Sequence, residues 1–101
     1  MLDLFLSAAV NTAQIQLVAQ AQATRVYLPI STKQSARPNC VTYITTNSTS
    51  RQVSDVKVNR RDSQGTIYSD YLLISVSSLA SGEATSFDMC DNSFVNVEAR
   101  Q

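Results

Sequence analysis

The sequence predicts a mainly β fold, an antiparallel sandwich of about 6–7 short strands, on three observations. Valine, isoleucine, threonine and tyrosine, which pack well on a pleated surface, recur at short intervals. Between Arg25 and Arg100 apolar and polar residues alternate in short runs, the period of a half-buried strand. Clusters of Asn, Ser, Asp and Gly interrupt these runs about every 8–12 residues, the spacing of sandwich turns. A chain of 101 residues is enough for one modest core.

Residues 1–24 stand apart as a separate assembly segment ahead of a β domain over 25–101. They are rich in alanine and glutamine and contain neither glycine nor proline. With a helical period, Leu2, Leu6, Ala9, Val10, Ala13 and Leu17 form one apolar stripe, flanked by Leu4, Ala8 and Ile15. Asp3 then lies where a first-turn acid helps. With a period of two, Ala13, Ile15, Leu17, Ala19, Ala21 and Ala23 line one side and mostly glutamine the other. A third reading is a secretory signal, with Leu4–Val10 as its apolar core and Ala21-Gln22-Ala23 as a small-residue cleavage site. Asp3, the lack of positive charge and a long polar gap speak against it. Asp3, Asn11, Gln14 and Gln16 also break the run well short of the ~20 apolar residues of a transmembrane span. The apolar side, carrying Leu2, Leu6, Val10, Ala13, Ile15 and Leu17, needs a surface to bury against. Its own core is one; a second subunit is the other, with a helix building a filament centre or an alternating strand completing a neighbour's sheet.

The strands follow in order. Arg25–Ser31 reads as the first, with Pro29 assigning it to an edge or bulge. Ser31–Asn39 reads as a polar connection closed by Pro38-Asn39. Cys40–Thr46 is the clearest strand, with Val41 and Tyr43 on one face and Cys40, Thr42 and Ile44 on the other. After a turn at Asn47–Ser50, Val53–Arg60 sets Val56 and Val58 against Lys57 and Asn59. Asp62-Ser63-Gln64-Gly65 is a hairpin turn with a positive-φ glycine. Thr66–Ser77 is long for a strand; Tyr68, Leu72, Ile74 and Val76 share a side, and a bulge or sheet switch is expected near Ser69-Asp70. Leu79-Ala80-Ser81-Gly82-Glu83 is a turn with a buried leucine. Ala84–Cys90 directs Thr85, Phe87 and Met89 one way, Asp91-Asn92-Ser93 turns, and Phe94–Arg100 alternates Val95, Val97 and Ala99 with Asn96 and Glu98.

The succession of an Asn-Ser-Thr turn, the strand around Val53-Ser54-Asp55-Val56-Lys57-Val58, the hairpin carrying Asp62 and Gly65, and the turn carrying Leu79, Gly82 and Glu83 resembles immunoglobulin-like modules of the CARDB and fibronectin type III-like kind. The resemblance spans about Arg25–Arg100 and implies an immunoglobulin-like antiparallel β-sandwich, here with an N-terminal helical or donor-strand-like segment. The arrangement of an apolar N-terminal segment before a β domain is also similar to that of type IV pilins and archaeal filament proteins.

Composition narrows the function. Eight basic and eight acidic residues balance, so no field gathers nucleic acid or an anionic membrane. Histidine and tryptophan are absent, which removes His-based triads, His metal ligands and histidine pH switching. Serines are plentiful without a Gly-x-Ser-x-Gly elbow or a partner base. No catalytic residue, cofactor or metal is assigned, and an enzyme is not expected. Asp88, Asp91 and Asn92 form a potential oxygen cluster, more simply read as a solvated turn. Arg60 and Arg61 before Asp62 read as a hairpin shoulder with a local ion pair. Asn47-Ser48-Thr49 is a formal glycosylation sequon on a turn expected to be exposed. Tyr27, Tyr43, Tyr68 and Tyr71 read as strand packing.

Cys40 and Cys90 are too few for a four-cysteine zinc site and too far apart for a redox Cys-x-x-Cys pair. They are two buried thiols or a disulfide, and an even count in a small, polar, strand-rich chain favours the disulfide and an oxidising compartment. The expectation is therefore a structural subunit of an extracellular filament, pilus or cell-surface assembly, forming a homo-oligomer or polymer through its N-terminal segment and sheet edges. The alternative is a monomeric periplasmic chaperone or assembly accessory of sandwich fold.

Overall fold

The computed structural model describes residues 23–101. The stripe of Leu2, Leu6, Val10, Ala13, Ile15 and Leu17, and the helix, strand and signal readings built on it, lie outside them. Eight strands cover the described chain: β1 (Arg25–Leu28), β2 (Ile30–Gln34), β3 (Val41–Thr46), β4 (Val53–Arg61), β5 (Ile67–Asp70), β6 (Ser78–Leu79), β7 (Ala84–Met89) and β8 (Phe94–Arg100). They form two antiparallel sheets. The larger has the order β1-β8-β4-β5, with β6 also pairing β4; the smaller has the order β2-β3-β7.

The apolar faces of both sheets share one core, an arrangement compatible with a β-sandwich. From the larger sheet come Val53, Val56, Val58, Leu79, Val97 and Ala99, and from the smaller Phe87 and Met89. Tyr43 joins them by stacking on Phe87 and Phe94 at centroid distances of 5.4 and 4.5 Å. The offset rings tie the two sheets together at one end.

Three departures from sequence expectation have plain causes. The single strand expected over Arg25–Ser31 is two strands in different sheets, divided at Pro29. Proline has no N–H for either ladder, so the chain changes sheets there at little loss. The first part of the expected polar connection Ser31–Asn39 is strand: Ile30–Gln34 pairs with β3 from Ile30↔Thr45 to Gln34↔Val41. This edge strand is exposed from Ser31 to Gln34, so it carries no apolar alternation to read. The long strand expected over Thr66–Ser77, with a bulge or sheet switch near Ser69-Asp70, instead stops at Asp70 and resumes at Ser78 in the same sheet, where β5 and β6 both pair β4. Residues 71–77 leave the ladder opposite Asp55–Lys57 of β4. Leu72 is consequently 96% exposed while Ile74 is buried, so the two do not share a face.

Within β4 the register slips between Ser54 and Lys57, and Asp55 adopts φ 51°. This bulge changes the inward spacing, so that Val53, Val56 and Val58 all reach the core. The hairpin turn is as expected: Gly65 has φ 85°, and Asp62 Oδ1 accepts from the N–H groups of Gln64 and Thr66, both at 2.9 Å.

Candidate interaction surface

Cys40 and Cys90 are joined in a disulfide, with Cα atoms 4.0 Å apart. Because Val41 pairs with Met89, the bridge occupies the next rung of the β3–β7 ladder. It therefore fastens two neighbouring strands of the smaller sheet and leaves β1, β2 and β8 outside the covalent ring.

The other sequence candidates are not gathered into one centre. Asp88 accepts from Thr42 Oγ1 at 2.5 Å and from Ser35 Oγ at 3.2 Å, and these bonds, Thr42 foremost, hold its carboxyl below the ordinary range. Asp91 belongs to a different cluster. It accepts from the Ser93 hydroxyl at 2.5 Å and pairs with Arg60 at 2.8 Å; the Ser93 bonds lead in lowering its pKa. Among the described residues no group of three or more acidic, Cys or His side chains is arranged to hold a metal ion.

The Arg60 pair is not local, as the sequence suggested. Asp62 caps its own turn, while Arg60 reaches Asp70 at 3.2 Å, Asp91 at 2.8 Å and Ser93 Oγ at 2.8 Å, and lies 5.8 Å from the Tyr68 ring. Burial lowers its affinity for the proton, but Asp70 and Asp91 outweigh that and hold it above its ordinary value. The guanidinium thus locks β4, β5 and the β7–β8 turn together.

A second polar network crosses the outer face of the larger sheet. Ser69 Oγ donates to Asn59 Oδ1 at 2.8 Å, and Asn59 Nδ2 donates to Asn96 Oδ1 at 2.8 Å and to Glu98 Oε1 at 2.7 Å. Glu98 lies on this outer face yet is buried by its neighbours' side chains, and its Oε2 faces Arg25 at 3.2 Å and Lys57 at 3.6 Å. Burial alone would raise its pKa; the Asn59 bond and the two cations overcome it, and the carboxyl sits below its usual range.

Asn47, taken from sequence as an exposed sequon, has no exposed surface. Its Nδ2 donates to the carbonyls of Arg51 (2.8 Å) and Leu79 (3.0 Å), and its Oδ1 accepts from Thr49 N–H (3.0 Å) and Thr49 Oγ1 (2.6 Å). The nitrogen a glycan would need is committed inside the fold.

What remains accessible is the outer edge of the larger sheet. Ile67, Tyr68, Tyr71 and Leu72, all exposed, follow one another along β5 and into the 71–77 break. Beside them Tyr71 and Val76 wall a shallow depression floored by Val56 and Ile74. A succession of large apolar groups on a sheet edge marks an interaction surface. Of the four tyrosines read as packing, only Tyr43 packs in the core; Tyr27, Tyr68 and Tyr71 are exposed. The sequence signal for this edge was the interruption of the Thr66–Ser77 pattern at Ser69-Asp70. Among the described residues no helix is long and apolar enough to cross a membrane. Comparison with protein-family models, curated proteins and solved structures gives no match.

Proposed function

We propose that this chain is an exported structural subunit of an extracellular filament, pilus or cell-surface assembly, joined to its neighbours through its N-terminal segment and sheet edges. The observation that carries the reading is the β5 edge. Edge strands are normally guarded by charge or proline: β1 carries the exposed Arg25, and β2 follows Pro29 and carries Lys33. Ile67–Asp70 has no proline, and its one charge, Asp70, is drawn back by Arg60. Such an edge is suited to permanent coverage by another chain.

Two further features support the reading. The orders β2-β3-β7 and β8-β4-β5 match the A-B-E and F-C-C′ neighbours of an immunoglobulin-like sandwich, with β1 beside β8 where the last strand of such a module runs. The Cys40–Cys90 disulfide suits an oxidising compartment. Light scattering on the full chain, before and after removal of residues 1–24, tests the proposal. A high-mass assembly that falls to monomer on truncation is expected; a monomer in both forms overturns it and favours a monomeric periplasmic accessory.

A further inference from the structure

We infer that β1 of one copy adds to the β5 edge of a second copy, extending the larger sheet from molecule to molecule; the inference rests on the assembly reading above and names both partners of its sheet-edge contact. The backbone rows of the two edges carry it.

The row on β5 follows from its hairpin. Asp62 N–H donates to the Thr66 carbonyl at 3.0 Å, and bonded and non-bonded pairs alternate along an antiparallel ladder. Along the partners Arg61↔Ile67, Arg60↔Tyr68 and Asn59↔Ser69, the N–H and C=O of Ile67 and Ser69 therefore point away from β4. Arg61 accordingly donates in the other direction, to the Ser93 carbonyl at 2.7 Å. The row on β1 follows from Gln101, whose N–H donates to the Thr24 carbonyl at 2.9 Å. The same alternation along Arg25↔Arg100, Val26↔Ala99 and Tyr27↔Glu98 leaves the N–H and C=O of Arg25 and Tyr27 pointing away from β8. Among the described residues no strand pairs with either row, and each row is the template that an added strand completes.

Face and direction agree. Bonded partners in an antiparallel pair carry their side chains on one face. Tyr27 is the ladder partner of Glu98, and Ser69 bonds Asn59, so Arg25, Tyr27, Ile67 and Ser69 all belong to the outer face of the larger sheet. Every step of the order β1-β8-β4-β5 is antiparallel, so β1 and β5 run in opposite directions. A second copy thus meets the first without being turned over: Tyr27 pairs with Ile67, Arg25 with Ser69, and Val26 stands opposite Tyr68 on the core side. The two edges are different surfaces, so the contact repeats head to tail and builds an open polymer.

Side chains select β1 from the other edges. Tyr27 and Ile67, exposed at 57% and 52%, cover one another as an aromatic and β-branched cross-strand pair. β2 exposes only polar residues from Ser31 to Gln34, and β7 exposes Ala84 and Ser86; neither sets a large apolar group on Ile67. A second β5, fully overlapped, places Ile67 against Ser69 and closes a two-fold dimer. A second β1 brings Arg25 and its neighbour Arg100 from both copies onto one seam, whereas the one charge of β5 is the carboxylate of Asp70. Arg25 thus guards β1 against a like edge and not against β5.

The test is cysteine cross-linking in the full chain under mild oxidation, with each variant checked by circular dichroism and linked peptides read by mass spectrometry. Bonded partners lie about 5.5 Å apart at Cα, within the disulfide range. The double variant Tyr27→Cys, Ile67→Cys is expected to give a covalent ladder of multiples on a non-reducing gel, linked through positions 27 and 67, and neither single change a ladder. Tyr27→Lys and Ile67→Lys, both at exposed sites, are each expected to lower the mass seen by light scattering severalfold. A high-mass wild type whose double variant forms no 27–67 link, or whose mass survives both lysine changes, overturns this inference and leaves the assembly reading standing. Dimers linked between positions 67 and 69 in Ile67→Cys, Ser69→Cys overturn it in favour of β5 self-pairing. A monomeric wild type overturns both readings.

Discussion

Asn47 ties the turn after β3 to the turn between β6 and β7. Its side chain satisfies two carbonyls from separate segments, and its backbone accepts from Gly82 N–H at 2.7 Å and donates to Glu83 C=O at 2.9 Å. Asn47→Ala leaves the buried Leu79 carbonyl without its donor and releases the Arg51 carbonyl, and is expected to destabilise the fold by about 3 kcal/mol in urea titration. Asn47→Asp keeps the shape but cannot donate, so it is expected to be nearly as damaging. Glu98, Asp88 and Asp91 are all held below the ordinary carboxylate range. The unfolded chain therefore takes up protons first as pH falls. The stability these groups contribute is full above about pH 5, declines through their unfolded values near 4, and is gone below the depressed folded values. Thermal melts across pH 7 to 2 check this, and Glu98→Gln should melt lower at pH 7 while losing less on acidification.

At the scale of elements, the β4 bulge and the disulfide decide where the strands meet. Asp55 holds a left-handed conformation at φ 51°, which costs a non-glycine residue about 1–2 kcal/mol. Asp55→Gly is expected to stabilise by up to about 1 kcal/mol, and Asp55→Val to destabilise by a similar amount, measured by urea unfolding. The Cys40–Cys90 bridge closes a separation of 50 residues, for which loop entropy gives about 4 kcal/mol as an upper value. The strands that alternate strongly, β7 and β8, were legible as such because one face meets the core and the other does not. β2 was not, because an exposed edge needs no apolar residues, and the division at Pro29 was legible only as a break whose direction depended on which ladders stood nearby. The polar side of β8 was read as outward and is, yet Glu98 is buried there by its neighbours' side chains, a lateral effect that periodicity does not record.

For the whole molecule, the 71–77 break is the point of easiest attack. Leu72 is almost fully exposed and lies outside any ladder, the setting in which proteases cut first. A protease selective for large apolar residues is expected to nick the chain after Tyr71 or Leu72. Because the cut lies between Cys40 and Cys90, the fragments should migrate together without reductant and separate with it. If another chain covers the β5 edge, the nick should slow severalfold, as time courses on the full chain before and after removal of residues 1–24 would show.

The sequence by itself determined the β class and most turns and favoured the disulfide that Cys40 and Cys90 form, because alternation, turn chemistry and cysteine count are local or countable properties. Only the tertiary structure decided that Asn47 is buried, that Arg60 joins three segments, and that β5 is left as an unguarded edge. Each of these depends on residues far apart in sequence, Asn47 with Leu79 and Arg60 with Asp91. Burial is a property of what packs alongside a residue, and no period along a single chain contains it.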